Sequence, residues 1–98
     1  VVHGGVTAAL LDSCMGGAVV STLGEGEGCG TASLDLKYLR WGEGAELRGT
    51  ARVVKRGRAL AFVEGAATDA AGREVARASG VWFVWREGER RPGPPEGA

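Results

Sequence analysis

A histidine and two glycines stand almost at the start of this chain, His3-Gly4-Gly5, and an aspartate follows at Asp12. If a helix begins at the glycine turn, the N–H groups of its first turn and the positive end of its dipole form a site for an anion or a polarised carbonyl. Glycine lets a ligand come close to that backbone. The alternative is a tight turn into the helix, with the histidine satisfied by backbone groups. Asp12 lies beside Leu10-Leu11 and Cys14, where a carboxylate is costly to bury unless it is paired or used. Its alternative is a solvated helix face. Asp12 comes seven residues after Gly5, about 700° round a helix, so the two share a face within ~20° but stand ~10.5 Å apart along the axis. A reacting atom must lie about 3 Å from both groups. One helix cannot supply both. Two antiparallel helices, packed at an interaxial distance of about 8–10 Å, would bring Asp12 of one chain to Gly4-Gly5 of the other.

The elements that must hold these residues are a helix and four strands. Residues 6–23 carry Val6, Ala9/Leu10, Ser13/Cys14, Gly17 and Val20 at the spacing of one helical stripe. Gly16-Gly17 inside it are unfavourable by about 1 kcal/mol each relative to Ala, which predicts another backbone close by. Gly24-Glu25-Gly26-Glu27-Gly28 then stop the helix with flexible residues. Beyond them the chain alternates with period two over 31–40, 45–55, 59–68 and 74–85. In the first, Ala32, Leu34, Leu36 and Tyr38 share a face; in the second, Leu47, Gly49, Ala51 and Val53 do. Short turn signals between the segments predict an antiparallel meander. The expected architecture is α+β: one long helix wrapped by the apolar face of a sheet. Residues 1–86 form one domain, and 87–98 a flexible polar tail rich in proline.

Composition narrows the function. The chain has 98 residues, with 12 Lys+Arg balancing 12 Asp+Glu. No basic excess exists to displace phosphate counterions, which excludes nucleic acid as the main partner. Cys14 and Cys29 allow a disulfide but read better as reduced thiols of a cytoplasmic protein, and with His3 as the only histidine no zinc site is expected. No apolar run is long enough to span a membrane, and no signal-peptide pattern is present. The Gly-x-Gly-x-Gly within 24–30 follows a helix and carries Glu25 and Glu27, so it is not a nucleotide fingerprint. Eighteen glycines must sit inside a folded architecture. Trp82, Phe83 and Trp85 are expected to fill core and interface.

The spacing of His3-Gly4-Gly5 to Asp12-Ser13 on one helix resembles the hot-dog thioesterases, with the phenylacetate-degradation type of acyl-CoA thioesterase as the nearest subgroup. Ser33-Leu34-Asp35-Leu36-Lys37-Tyr38-Leu39-Arg40, Val53-Val54-Lys55-Arg56-Gly57-Arg58 and the stretch from Asp69 to Ala76 carry the likeness further. The resemblance implies roles. Asp12 is the carboxylate that attacks a thioester carbonyl or activates a water, Gly4 gives the oxyanion N–H, and Ser13 helps position water. His3 and Gly5 shape the turn against the substrate. The resemblance also raises Arg56 and Arg58 as holders of the coenzyme A phosphates, against the alternative of a charged surface turn. The site implied lies across a dimer interface, dimers pair into tetramers, and no cofactor takes part. Family members usually carry a strand and an Asn or Gln ahead of the His-Gly-Gly turn; neither is in this chain, which is expected to be N-terminally incomplete, with one sheet edge bare. A non-catalytic acyl-CoA-binding hot-dog module is the alternative function. A dehydratase of this fold fits less well, since His3 is the only histidine.

Overall fold

The computed structural model describes residues 4–44 and 46–89. Helix α1 spans Gly4–Val20, and strands β1 to β4 span Glu27–Tyr38, Leu47–Arg56, Leu60–Asp69 and Glu74–Arg86. All neighbouring strands are antiparallel, and α1 lies on one face of the sheet. This is the hot-dog arrangement expected from the sequence. Residues 87–89 make a turn after β4, and 90–98 of the expected tail lie outside the described residues.

Burial corrects the helix. Thr7, Leu11, Met15 and Val19, each four residues from the next, turn toward the sheet and are buried. The expected stripe is split: Leu10 and Cys14 are half-buried over Gly49, whereas Val6 is 57% exposed and Val20 56%, and Ala9, Ser13 and Gly17 are exposed too. The helix is apolar all round, so periodicity offered two stripes. Leu11, Met15 and Val19 are the bulkier set and fill the space above the sheet. Gly16 faces the indole of Trp82 at an ordinary contact distance, and a Cβ on Gly17 would meet no atom of the described residues within 4 Å. Among the described residues, none supplies the backbone neighbour expected at Gly17.

Beneath the helix the sheet has small residues where side chains descend. A Cβ on Gly49 would lie 2.7 Å from the Cys14 Sγ, and one on Gly65 would lie 2.8 Å from the Met15 Sδ. Such close approach needs glycine. Ala61, Val63, Ala67, Ala76, Ala78, Trp82 and Val84 complete the core.

The strand order is β1-β4-β3-β2. The meander holds for β2, β3 and β4, but β1 pairs with β4, not β2. The chain thus passes from β1 at one sheet edge to β2 at the other, about three strand spacings or ~14 Å, well within the reach of ~26 Å for a connection of eight residues. Strand β1 also starts four residues before the alternation predicted. Gly28 and Gly30 continue the pairing and leave room for Trp85, whose Nε1 would be 2.8 Å from a Cβ on Gly28.

Asp69 ties the crossover down. Its carboxylate accepts from the N–H of Glu43 at 3.1 Å, those of Ala71 and Arg73 at 3.0 Å each, and the Arg73 guanidinium at 3.2 Å. Burial pushes its carboxyl upward, but these donors outweigh burial and hold it below the ordinary carboxylate value. A lowered folded-state pKa gives stability that is full above the unfolded value, ~3.9, and is lost as pH falls through the folded one. Asp69→Asn should therefore lower the urea midpoint at pH 7, by an amount that shrinks as pH falls below ~3.9. A deficit that does not shrink would refute this assignment.

Candidate active site

Asp12 is exposed on α1, ~60° round the helix from the buried Met15 and at the border of the exposed apolar stripe. Across from it stands Thr31 of β1, whose hydroxyl donates to the Asp12 Oδ1 at 3.2 Å. Ser13 is exposed beside it. Gly4 is the first residue of the helix, with Gly5 exposed next to it. Eight residues put Gly4 ~12 Å from Asp12 along the axis. The chain brings Asp12 and Thr31 together, with Ser13 next to Asp12 on the helix, and it keeps the glycine turn apart from them. His3 lies outside the described residues.

Thr31 escaped the sequence pattern for a physical reason. Strict alternation from Leu34 places Ala32 toward the helix and Thr31 away from it. A β-bulge between Thr31 and Ser33 adds one residue and reverses that parity, so Thr31 faces the helix as Leu34 does. Its register partner is Trp82, a core residue.

The two arginines differ. Arg56 donates through Nε to the Thr22 hydroxyl at 3.1 Å, through Nη2 to Glu27 at 2.9 Å, and through Nη1 to the Gly57 carbonyl. Its guanidinium is engaged within the chain by all three bonds. A second bulge, between Val53 and Lys55, turns Arg56 to the helix side. Arg58 keeps an exposed side chain, 3.8 Å from Glu89.

Cys14 and Cys29 are unbonded to one another. Burial pushes the Cys29 thiol up, only partly offset by Arg56, which disfavours the thiolate a nucleophile needs. Among the described residues no group of three His, Cys, Asp or Glu is placed to hold a metal, and no helix is long and apolar enough to cross a membrane. Shallow depressions lined by Asp35, Lys37, Glu64 and Arg77 lie on the sheet face opposite the helix. They have no part in the Asp12 site.

A helix crossing a four-stranded antiparallel sheet, with a carboxylate on the helix held by a strand hydroxyl, defines a hot-dog protein with a candidate hydrolytic group. The sequence profile described as "Thioesterase superfamily" matches residues 1–76, and the chain belongs to that family. Similar solved structures include a Bacillus halodurans protein solved with CoA, at 39% identity and a TM-score of 0.82, covering 86% of this chain and 56% of that one. A phenylacetic acid degradation-related protein of Ralstonia eutropha JMP134 shares 36% identity with a TM-score of 0.78, covering 84% and 61%. A thioesterase family protein of Silicibacter pomeroyi shares 27% identity with a TM-score of 0.81, covering 87% and 65%. The chain thus spans between about half and two thirds of the length of these relatives. No curated protein matches it.

Proposed function

We propose that this chain hydrolyses an acyl- or aryl-CoA thioester, as a cytoplasmic enzyme of the phenylacetate-degradation type, at a site shared by two antiparallel copies of α1. The observation that carries this is the Thr31 hydroxyl on Asp12, at the rim of a helix face that is apolar and uncovered. Family membership supplies the reaction class, and the CoA found with the Bacillus relative supports the thiol. A helix apolar on all sides belongs in a buried setting, and a second copy laid along Val6, Ala9, Ser13, Gly17 and Val20 provides one. Open space at Gly17 suits close approach. Pairs of such dimers would form the tetramer.

With one oxygen held by Thr31, the other oxygen of Asp12 faces the thioester. As nucleophile it bonds to the carbonyl carbon, the C=O pair moves to oxygen, and collapse breaks the C–S bond to release CoA thiolate and an anhydride that water opens. As base it takes a proton from a water whose oxygen attacks the same carbon. In both courses the developing oxyanion is received by the Gly4 N–H of the partner subunit, since its own is ~12 Å off. Ser13 is placed to hold water, and His3 and Gly5 shape the turn against the thioester. Arg58 at the β2–β3 turn takes the CoA phosphates. Two residues before it, Arg56 reaches Thr22 just past the helix end.

The test is thiol release from a panel of acyl- and aryl-CoA thioesters. Asp12→Ala should lower turnover about 10²–10⁴-fold with melting unchanged, because the side chain is exposed. Equal turnover by the variant would sink the assignment. Tight acyl-CoA binding by wild type without thiol release would mark a binding module instead.

A further inference from the structure

We propose that Glu27 and Arg56 form a staple between the two edges of the sheet that positions Thr31 for Asp12, a role that rests on the hydrolytic assignment of Asp12. The edges are β1 and β2, which in a flat four-stranded sheet would stand ~14 Å apart. Here Glu27 on one and Arg56 on the other meet at 2.9 Å. Their two long side chains reach across that gap and join the borders beneath the end of the helix.

Glu27 is the centre of this junction. One carboxylate oxygen accepts from Arg56 and from the Gly24 N–H at 2.7 Å, and the other accepts from Arg86 at 3.0 Å. Its side chain is 11% exposed. Arg56 in turn bonds Thr22, just past the helix. The cluster joins the α1–β1 turn, the start of β1, the end of β2 and the end of β4. The Gly24 N–H draws the Glu27 carboxyl below its ordinary value; burial opposes this, and Arg56 and Arg86 add to it.

The connection to the site is the register. Arg56 pairs with Ala61, Ala61 with Trp82, and Trp82 with Thr31, so staple and site residue share one row across the sheet. Each edge strand carries a bulge beside its member of that row, between Val53 and Lys55 and between Thr31 and Ser33. Both bulges turn their residue to the helix side. Glu27 anchors β1 four residues before Thr31, ~13 Å along the strand. Released there, the edge strand would relax outward and carry the Thr31 hydroxyl away from Asp12. Misplacement of about 1 Å at a reacting group is enough for a large loss of rate, up to ~10²-fold. Glu27 touches neither substrate nor reacting atoms. It is a positioning residue.

The test combines kinetics with amide exchange on the full chain. Glu27→Gln keeps the size and the Gly24 contact but removes the negative charge that Arg56 and Arg86 face. It should lower kcat by about tenfold with little change in KM, and Thr31→Val should do at least as much. In the Thr31→Val background, Glu27→Gln should lower kcat by less than about twofold, since coupled residues are not additive. Arg56→Lys should retain more kcat than Arg56→Gln. Full additivity in kcat, or a loss carried by KM alone, would overturn the proposal. Amide exchange supplies an arm independent of turnover: residues 28–33 should exchange faster in Glu27→Gln while 61–67 hold. Unchanged exchange at 28–33 would overturn the staple even if the wild type hydrolyses thioesters. Absence of thiol release by wild type would instead count against the hydrolytic assignment.

Discussion

Mixing two inactive variants, Asp12→Ala and Gly4→Pro, is expected to restore about a quarter of wild-type thiol release. Proline is tolerated at the first position of a helix and removes the N–H, so Gly4→Pro should delete the oxyanion donor and spare α1. Each variant alone lacks one group at every site. In a two-fold pair of different chains, one site combines Asp12 of the proline chain with Gly4 of the alanine chain and is whole, while the other lacks both. Random exchange makes about half the dimers mixed, each with one of two sites intact. No recovery after verified subunit exchange would mean that both groups act within one chain. The ~12 Å between them on one helix argues against that.

Leu11→Ala is expected to cost about 2–5 kcal/mol, because Leu11 is fully buried between helix and sheet. For a domain of this size that lowers Tm by more than ~10 °C. Val20→Ala, on the opposite face at 56% exposure, should change the unfolding of the isolated chain by less than about 0.5 kcal/mol. Its effect should appear in subunit dissociation instead, measured by sedimentation over a dilution series. A large stability loss for Val20→Ala without change in association would reverse the assignment of the two faces.

The fold was legible where side-chain size and alternation agree. Leu47, Gly49, Ala51 and Val53 face the helix side as their spacing indicates, and β3 and β4 lie close to the expected bounds. The helix face was not legible, because Val6 and Val20 are as apolar as Leu11 and Met15 and only three-dimensional fit separates them. Nor was the pairing of β1. A local turn signal at Trp41-Gly42-Glu43-Gly44 looks the same whether the chain reverses into the next strand or crosses to the far edge. In the site, Asp12 and the glycine turn stood out by type and spacing. Thr31 did not, and Arg56 stood out only as a candidate for phosphate, not for its contacts inside the chain, for one shared reason. A single inserted residue flips every side chain beyond it, and nothing in the local composition marks where a bulge falls.

The pairing of β1 with β4 also sets a timetable. Partners in that ladder are 38 residues apart at Tyr38 and Ala76 and 59 apart at Glu27 and Arg86, so closing it carries the largest loop entropy in the domain. The β2–β3 and β3–β4 hairpins are local and can form early. Strand β1, with Thr31, has no neighbour in the sheet until the last strand is in place. During synthesis the aspartate is made first and its hydroxyl partner soon after, yet the two are not held together until β4 has emerged from the ribosome. A chain cut short before β4 should therefore lack the Asp12–Thr31 pair.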